Sequence, residues 1–184
     1  MIRKLTFILI LLTSIFMQNV SAIELSNHFV LSMALDGGGN VWVGTEAGLN
    51  CIAGHTVSIY RREQMGTTND KILSLFYDRH QHRMLIGTEH GLAIYDCEKG
   101  IVGCQTTGDR PENYSVVDMA DDHQQGVWLI FGNGKIQHLD CSTYRLKTLA
   151  TKLPGSRCGM DDGRGHLYIG HSKEGVSIVD LKDP

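Results

Sequence analysis

A repeat of about 43 residues constrains this chain more than any other feature in it. Trp42, Leu85, Trp128 and Tyr168 fall at matching places, separated by 43, 43 and 40 residues. Gly48, Gly91, Gly134 and Gly175 keep the same period, at 43, 43 and 41. Two independent markers holding one spacing point to four copies of a single supersecondary unit. Within each copy, short β-type segments alternate with turn residues. In the first copy they cover about 28–35, 41–45, 49–53 and 56–62. In the second they cover about 72–77, 83–88, 92–96 and 101–106. No window outside the N-terminal segment has sustained helical apolar spacing. Four strands in roughly 40–45 residues is the spacing of a β-propeller blade. The expected fold is therefore all-β, with about four blades at roughly 28–70, 71–113, 114–156 and 157–184.

The chemistry of the repeat fits packing. Asp36, Asp78, Asp122 and Asp162 each open the first hairpin turn, where a carboxylate can accept from nearby backbone N–H groups. Apolar residues flank each large marker on the second strand, as with Val41 and Val43 or Met84 and Ile86. A strand apolar on both faces is sandwiched on both sides, as in a blade stacked between two others. The markers therefore read as structural residues.

The run from Trp42 to Leu49 (WVGTEAGL) and the run from Leu85 to Leu92 (LIGTEHGL) carry a more specific signal. They resemble the W-I-G-T-x-x-G-L motif of two-component regulator propeller repeats, which form the periplasmic sensor region of hybrid two-component systems. The resemblance extends over about 29–181. The third copy departs from it with Ile130-Phe131 in place of Gly-Thr, and the fourth with His171 in place of Thr. It implies a sensing module that binds a ligand, with a carbohydrate-derived ligand expected. In that family a longer propeller array, a membrane helix and a kinase follow. None of these occurs in the 184 residues, so kinase activity is not carried over and the chain reads as an N-terminal fragment.

The first 22 residues read as a signal peptide. Arg3 and Lys4 precede the largely apolar run Leu5–Phe16, and Val20-Ser21-Ala22 supplies small residues for cleavage before Ile23. The run is short for a membrane span, which takes about 20 residues. Periplasmic localisation is expected, with no span in the mature chain. Removing residues 1–22 lowers Lys+Arg from 17 to 15 against 20 Asp+Glu, a net charge of −5. The charges are scattered without a basic patch, which argues against nucleic acid or anionic membrane as partners. Five cysteines cannot all pair with one another. Cys97 and Cys104 flank a turn and could cross-link a hairpin. No metal-ligand spacing or cofactor motif is present.

Candidate binding residues lie on one rim, where the second-to-third-strand turns and the interblade connections meet. They are Glu46, Glu89, His90, Asn133 and Lys173, with the stretches 63–71, 108–113 and 153–156. Their polar groups suit an oligosaccharide or another polar small ligand. No catalytic residues are expected. The acids are spread over turns, and glycoside hydrolysis needs a positioned pair. A propeller glycosidase or lyase and a passive protein-interaction scaffold are the alternative readings. Counting from Ile23, the period yields about 3.8 blades, the fourth ending near Leu181 without an outer strand. An incomplete propeller is therefore expected, one that needs further blades or self-association, with a compact four-bladed disc as the alternative.

Overall fold

The chain is described from a computed structural model over residues 23–67, 69–97, 99–102, 107–108, 114–149 and 152–182. Among the described residues it is all-β apart from one helical turn. Four antiparallel sheets follow one another along the sequence. Blade 1 consists of β1 (Val30–Leu35), β2 (Val41–Thr45), β3 (Gly48–Ala53) and β4 (Thr56–Tyr60). Blade 2 consists of β5 (Ile72–Asp78), β6 (Arg83–Thr88), β7 (Gly91–Asp96) and β8 (Gly100–Val102). Blade 3 consists of β10 (Val116–Asp121), β11 (Gly126–Phe131), β12 (Ile136–Asp140) and β13 (Arg145–Thr148), with the short β9 (Thr107–Gly108) paired parallel to β13. Blade 4 consists of β14 (Ser156–Asp161), β15 (His166–His171) and β16 (Val176–Asp180). The helical turn α1 (Arg62–Met65) lies in the connection between blades 1 and 2. The proposed leader and Cys104 lie outside the described residues.

Each first hairpin is built alike. Oδ1 of Asp36 accepts from the N–H groups of Gly38 and Asn40, both at 2.9 Å. Asp122 and Asp162 repeat the arrangement over their own turns, and Asp78 accepts from the N–H groups of His80 and Gln81, two and three residues on. A register shift recurs at one place in all four blades, at Val30/Ser32, Ile72/Ser74, Val116/Asp118 and Ser156/Cys158. Such bulges sharpen local twist, and β1, β5, β10 and β14 pack side by side as the inner strands.

Alternation then sorts the side chains of each blade onto two faces. The leading face meets the next blade and the trailing face meets the previous one. Trp42 and Leu49 of blade 1 pack on Met84, Ile86 and Ala93 of blade 2. Leu85 and Ile94 of blade 2 pack on Met119, Leu129 and Leu139 of blade 3. Trp128 and Ile136 of blade 3 pack on Leu167, Ile169 and Val179 of blade 4. Gly44 has no room for a side chain, because a Cβ would lie 2.4 Å from Ser32 Oγ and 2.6 Å from Ile72 Cγ2. Gly87 is crowded in the same way by Ser74 and Val116. Three apolar layers thus join four blades.

Candidate functional site

Two rims follow from this geometry. The connection rim carries the second-to-third-strand turns and the links between blades, and the opposite rim carries the Asp-opened hairpin turns.

On the connection rim, the turn after β2 is held by Thr45. Its hydroxyl donates to Gly48 O at 2.9 Å and accepts from Ala47 N–H at 3.1 Å. Thr88 repeats both bonds at the turn after β6, to Gly91 O and from His90 N–H. Glu46 and Glu89 are thereby set at equivalent turn tips on neighbouring blades. Lys71 lies between them, 3.0 Å from Glu89 Oε1 and 4.0 Å from Glu46 Oε1. Asn69 donates to Glu89 Oε2 at 3.1 Å and lies 3.4 Å from His90 Nδ1. The Lys71 bond holds the Glu89 carboxyl below its ordinary range against a smaller opposing effect of burial. The same bond raises Lys71.

The link that delivers Asn69 and Lys71 is anchored at its other end. Met65 of α1 is buried in the layer between blades 1 and 2. Asp70 accepts from Arg62 N–H at 2.6 Å, and Arg61 Nη1 donates to Ala47 O. Glu46, Glu89 and His90 therefore gather in one polar cluster. Asn133 and Lys173 do not join it. Asn133 lies in the turn of blade 3, where its Oδ1 accepts from Lys135 N–H at 3.0 Å. Lys173 is exposed on blade 4. Lys71 and Asn69 belong to the stretch read from sequence as rim, but nothing in the repeat singled them out.

The markers occupy other places. Trp42, Leu85 and Trp128 are buried between blades, while Tyr168 is half-buried on the leading face of blade 4. Gly48, Gly91, Gly134 and Gly175 all have positive φ.

The opposite rim holds crevices that sequence reasoning did not anticipate. One of about 540 Å³ between blades 1 and 2 is lined by Asp36, Trp42, Tyr60, Tyr77 and Tyr95, among others. Tyr60 and Tyr95 pack on Trp42, with ring centroids 5.8 and 5.1 Å away. Another of about 350 Å³ between blades 3 and 4 is lined by Trp128, His138, Lys147 and Asp161. Each joins a repeat tryptophan and a turn aspartate, Trp42 with Asp36 or Trp128 with Asp122, to unrepeated side chains. Among the described residues, no cluster of His, Cys, Asp or Glu could hold a metal ion. The connection-rim cluster offers a carboxylate pair, an ammonium, an amide and an imidazole. That set can exchange hydrogen bonds with a polyhydroxyl ligand.

Comparison with known proteins agrees with this architecture. The family model described as two component regulator propeller matches residues 24–47, so the chain carries a repeat of that type. No curated protein matches. The fold is similar to the extracellular domain of a putative hybrid two component system from B. thetaiotaomicron, with a TM-score of 0.72 and 24% identity over 89% of this chain. It is similar to the extracellular domain of a putative one component system from the same organism, with a TM-score of 0.72 and 22% identity over 91% of the chain. The chain spans 25% and 22% of those two structures. It also resembles the computationally designed Ika4 protein at a TM-score of 0.66 and 12% identity, covering 89% of this chain and 99% of that one. Among the described residues no helix is long and apolar enough to cross a membrane.

Proposed function

We propose that this chain is a ligand-binding module of the sensor type, acting in the periplasm after loss of residues 1–22. Its binding surface is the connection rim around Glu46, Asn69, Lys71, Glu89 and His90, and its ligand is polar and carbohydrate-derived. The observation that carries this reading is the division of labour between repeated and unrepeated residues. Trp42, Leu85, Trp128, the Asp-opened turns and the motif threonines are engaged in packing and in turns. In the sequence, the positions 43 residues on from Asn69 and Lys71 are Glu112 and Tyr114, so the repeat does not carry that pair into the next link. A ligand needs unlike groups converging on one place, and an array of identical blades supplies that only where the repeat is broken. The signal-peptide pattern and the similarity in fold to extracellular domains support the location. Fold alone does not assign activity, so the site bears the argument.

The test is calorimetric titration of the secreted chain with a panel of oligosaccharides. Saturable binding is expected for at least one member, and it should weaken at least tenfold in Lys71→Ala and in Glu89→Gln. Binding that both variants leave unchanged would move the site elsewhere. Turnover of a chromogenic glycoside would favour an enzyme instead.

A further inference from the structure

The crevice of about 540 Å³ between blades 1 and 2 breaks the repeat in one consistent way. Tyr60, Tyr77 and Tyr95 line it, and strand register identifies what other blades place at their positions. Tyr95 lies opposite Met84, as Leu139 lies opposite Val127 and Val179 opposite Leu167. Tyr60 lies opposite Leu49, the place that Leu149 takes in blade 3, where its N–H donates to Ile136 O. Tyr77 lies opposite Met84 in the first hairpin of blade 2, as Asp161 lies opposite Leu167 in blade 4. Leu139, Leu149 and Val179 are buried, so aliphatic side chains suffice to pack two of these three places. The tyrosines are only half-buried, and one interblade crevice collects all three.

The rings form a continuous wall. Trp42, Tyr60 and Tyr95 contact one another with centroids 5.1 to 5.8 Å apart. Tyr77 reaches toward the turn of blade 1, where a Cβ on Gly37 would lie 2.7 Å from its hydroxyl. Among the described residues that line the crevice, Asp36 is the only carboxylate and there is no lysine or arginine. Asp36 is already fully bonded. Its Oδ1 accepts from the N–H groups of Gly38 and Asn40, and its Oδ2 from Asn40 Nδ2 and the Trp42 indole. Four bonds use the lone pairs of a carboxylate. Its charge still acts across the crevice, since the Cys51 and Cys97 thiols on the walls are raised first by burial and next by Asp36.

We propose that this crevice binds a quaternary ammonium group, the trimethylammonium head of a small organic cation, at a site separate from the connection rim. Aromatic faces attract a cation through their negative π-clouds, and the Asp36 charge behind the wall adds to that attraction. The absence of basic residues from the lining leaves this attraction unopposed. A primary ammonium or a guanidinium needs acceptors for its N–H groups, and the carboxylate has none left to offer. A quaternary nitrogen carries no N–H and needs only charge and ring faces. The Tyr60 and Tyr95 hydroxyls, 3.4 Å apart, keep hydrogen-bonding capacity for a polar tail.

The experiment is calorimetric titration of the secreted chain with choline, ethanolamine and 3,3-dimethylbutanol, the uncharged carbon isostere of choline. Choline should bind saturably at one site, about tenfold more tightly than either of the others. Tyr60→Leu and Tyr95→Val install the residues of blades 3 and 4, and circular dichroism verifies that they fold. Both should weaken choline about tenfold. Tyr60→Phe and Tyr95→Phe keep the rings and should retain binding, and Lys71→Ala on the other rim should leave it unchanged. Equal binding of the isostere would overturn the proposal in favour of a merely apolar crevice. Tighter binding of ethanolamine, loss of choline binding in the Phe variants, or no saturable binding of choline would also overturn it.

Discussion

The Trp128 indole N–H donates to Asp161 Oδ2 at 2.8 Å, and the bond crosses from blade 3 to blade 4. Its counterpart Trp42 donates instead within its own blade, to Asp36 Oδ2 at 2.9 Å. At the register position that Asp161 holds in blade 4, blade 2 has Tyr77. His138 Nε2 lies 2.8 Å from Asp122 Oδ2, occupying the carboxylate that corresponds to Asp36. His138 also packs on Trp128, with ring centroids 4.5 Å apart. The indole is left to bond the next blade, so one tryptophan closes a hairpin and the other ties two blades together.

Trp128→Phe should retain most of the packing but leave the buried Asp161 oxygen without its donor. The expected cost is about 1–3 kcal/mol. Trp128→Ala adds a cavity and should cost about 3–5 kcal/mol. Chemical denaturation measures both. Wild-type stability in Trp128→Phe would mean that the interblade bond contributes nothing.

The turn carboxylates should make the fold sensitive to acid. Burial pushes Asp36 upward, but bonds from the Trp42 and Asn40 side chains and from two backbone N–H groups outweigh it and leave the carboxyl below its ordinary value. Asp122 is lowered in the same way, burial being outweighed chiefly by His138. Asp162 is lowered to about 2, burial being outweighed by the N–H groups of Arg164 and His166 and by the His166 ring. A carboxyl with a depressed folded value stabilises the fold above its ordinary value of 3.8 and loses that contribution as pH falls toward the folded value. Asp118 acts oppositely, since burial raises it above the ordinary value despite bonds from Gly159 and Met119 N–H. Melting temperature should therefore drop between about pH 4 and pH 2, and less steeply in Asp162→Asn. An identical pH profile for that variant would remove the turn from the explanation.

Gly134 and Gly175 are equivalent in sequence but should differ in tolerance. Both have positive φ, +85 and +75. A Cβ on Gly134 would lie 2.6 Å from the Leu153 carbonyl and 2.7 Å from Pro154 N, whereas Gly175 has open space around it. Alanine at either site carries left-handed strain of roughly 1–2 kcal/mol. Gly134→Ala must also displace backbone, so it should melt well below Gly175→Ala. Equal melting temperatures would refute the close approach.

Thiol reactivity should separate the cysteines. Cys158 is exposed, whereas Cys51 and Cys141 are buried. Burial, with smaller effects from nearby carboxylates, raises the Cys51 and Cys141 thiols and lifts Cys97 to about 11. Iodoacetamide at pH 8 should therefore modify Cys158 well before those three, as read by peptide mass spectrometry, because the thiolate is the reacting form. Early labelling of Cys141 would show that the layer between blades 2 and 3 opens readily.

The number of blades, their strands and their Asp-opened turns were legible in the sequence because each rests on short-range order. A two-residue alternation sorts the faces, a carboxylate caps the turn beside it, and a period of 43 repeats both. The candidate rim was legible only as a surface. Glu46, Glu89 and His90 could be placed there, but Lys71 as the group joining them could not, because it reaches the site through a link whose path depends on Met65 being buried between blades. Asn133 and Lys173 carried the same turn position as those residues and lie apart, since the blade that carries each turn decides its neighbours. The bond from Trp128 to Asp161 was likewise decided across blades, with His138 on the carboxylate of the turn in Trp128's own blade. Sequence by itself determined what each blade is made of, through contacts a few residues apart. Only the tertiary structure decided which groups meet across blades, because that depends on how rigid sheets stack in space.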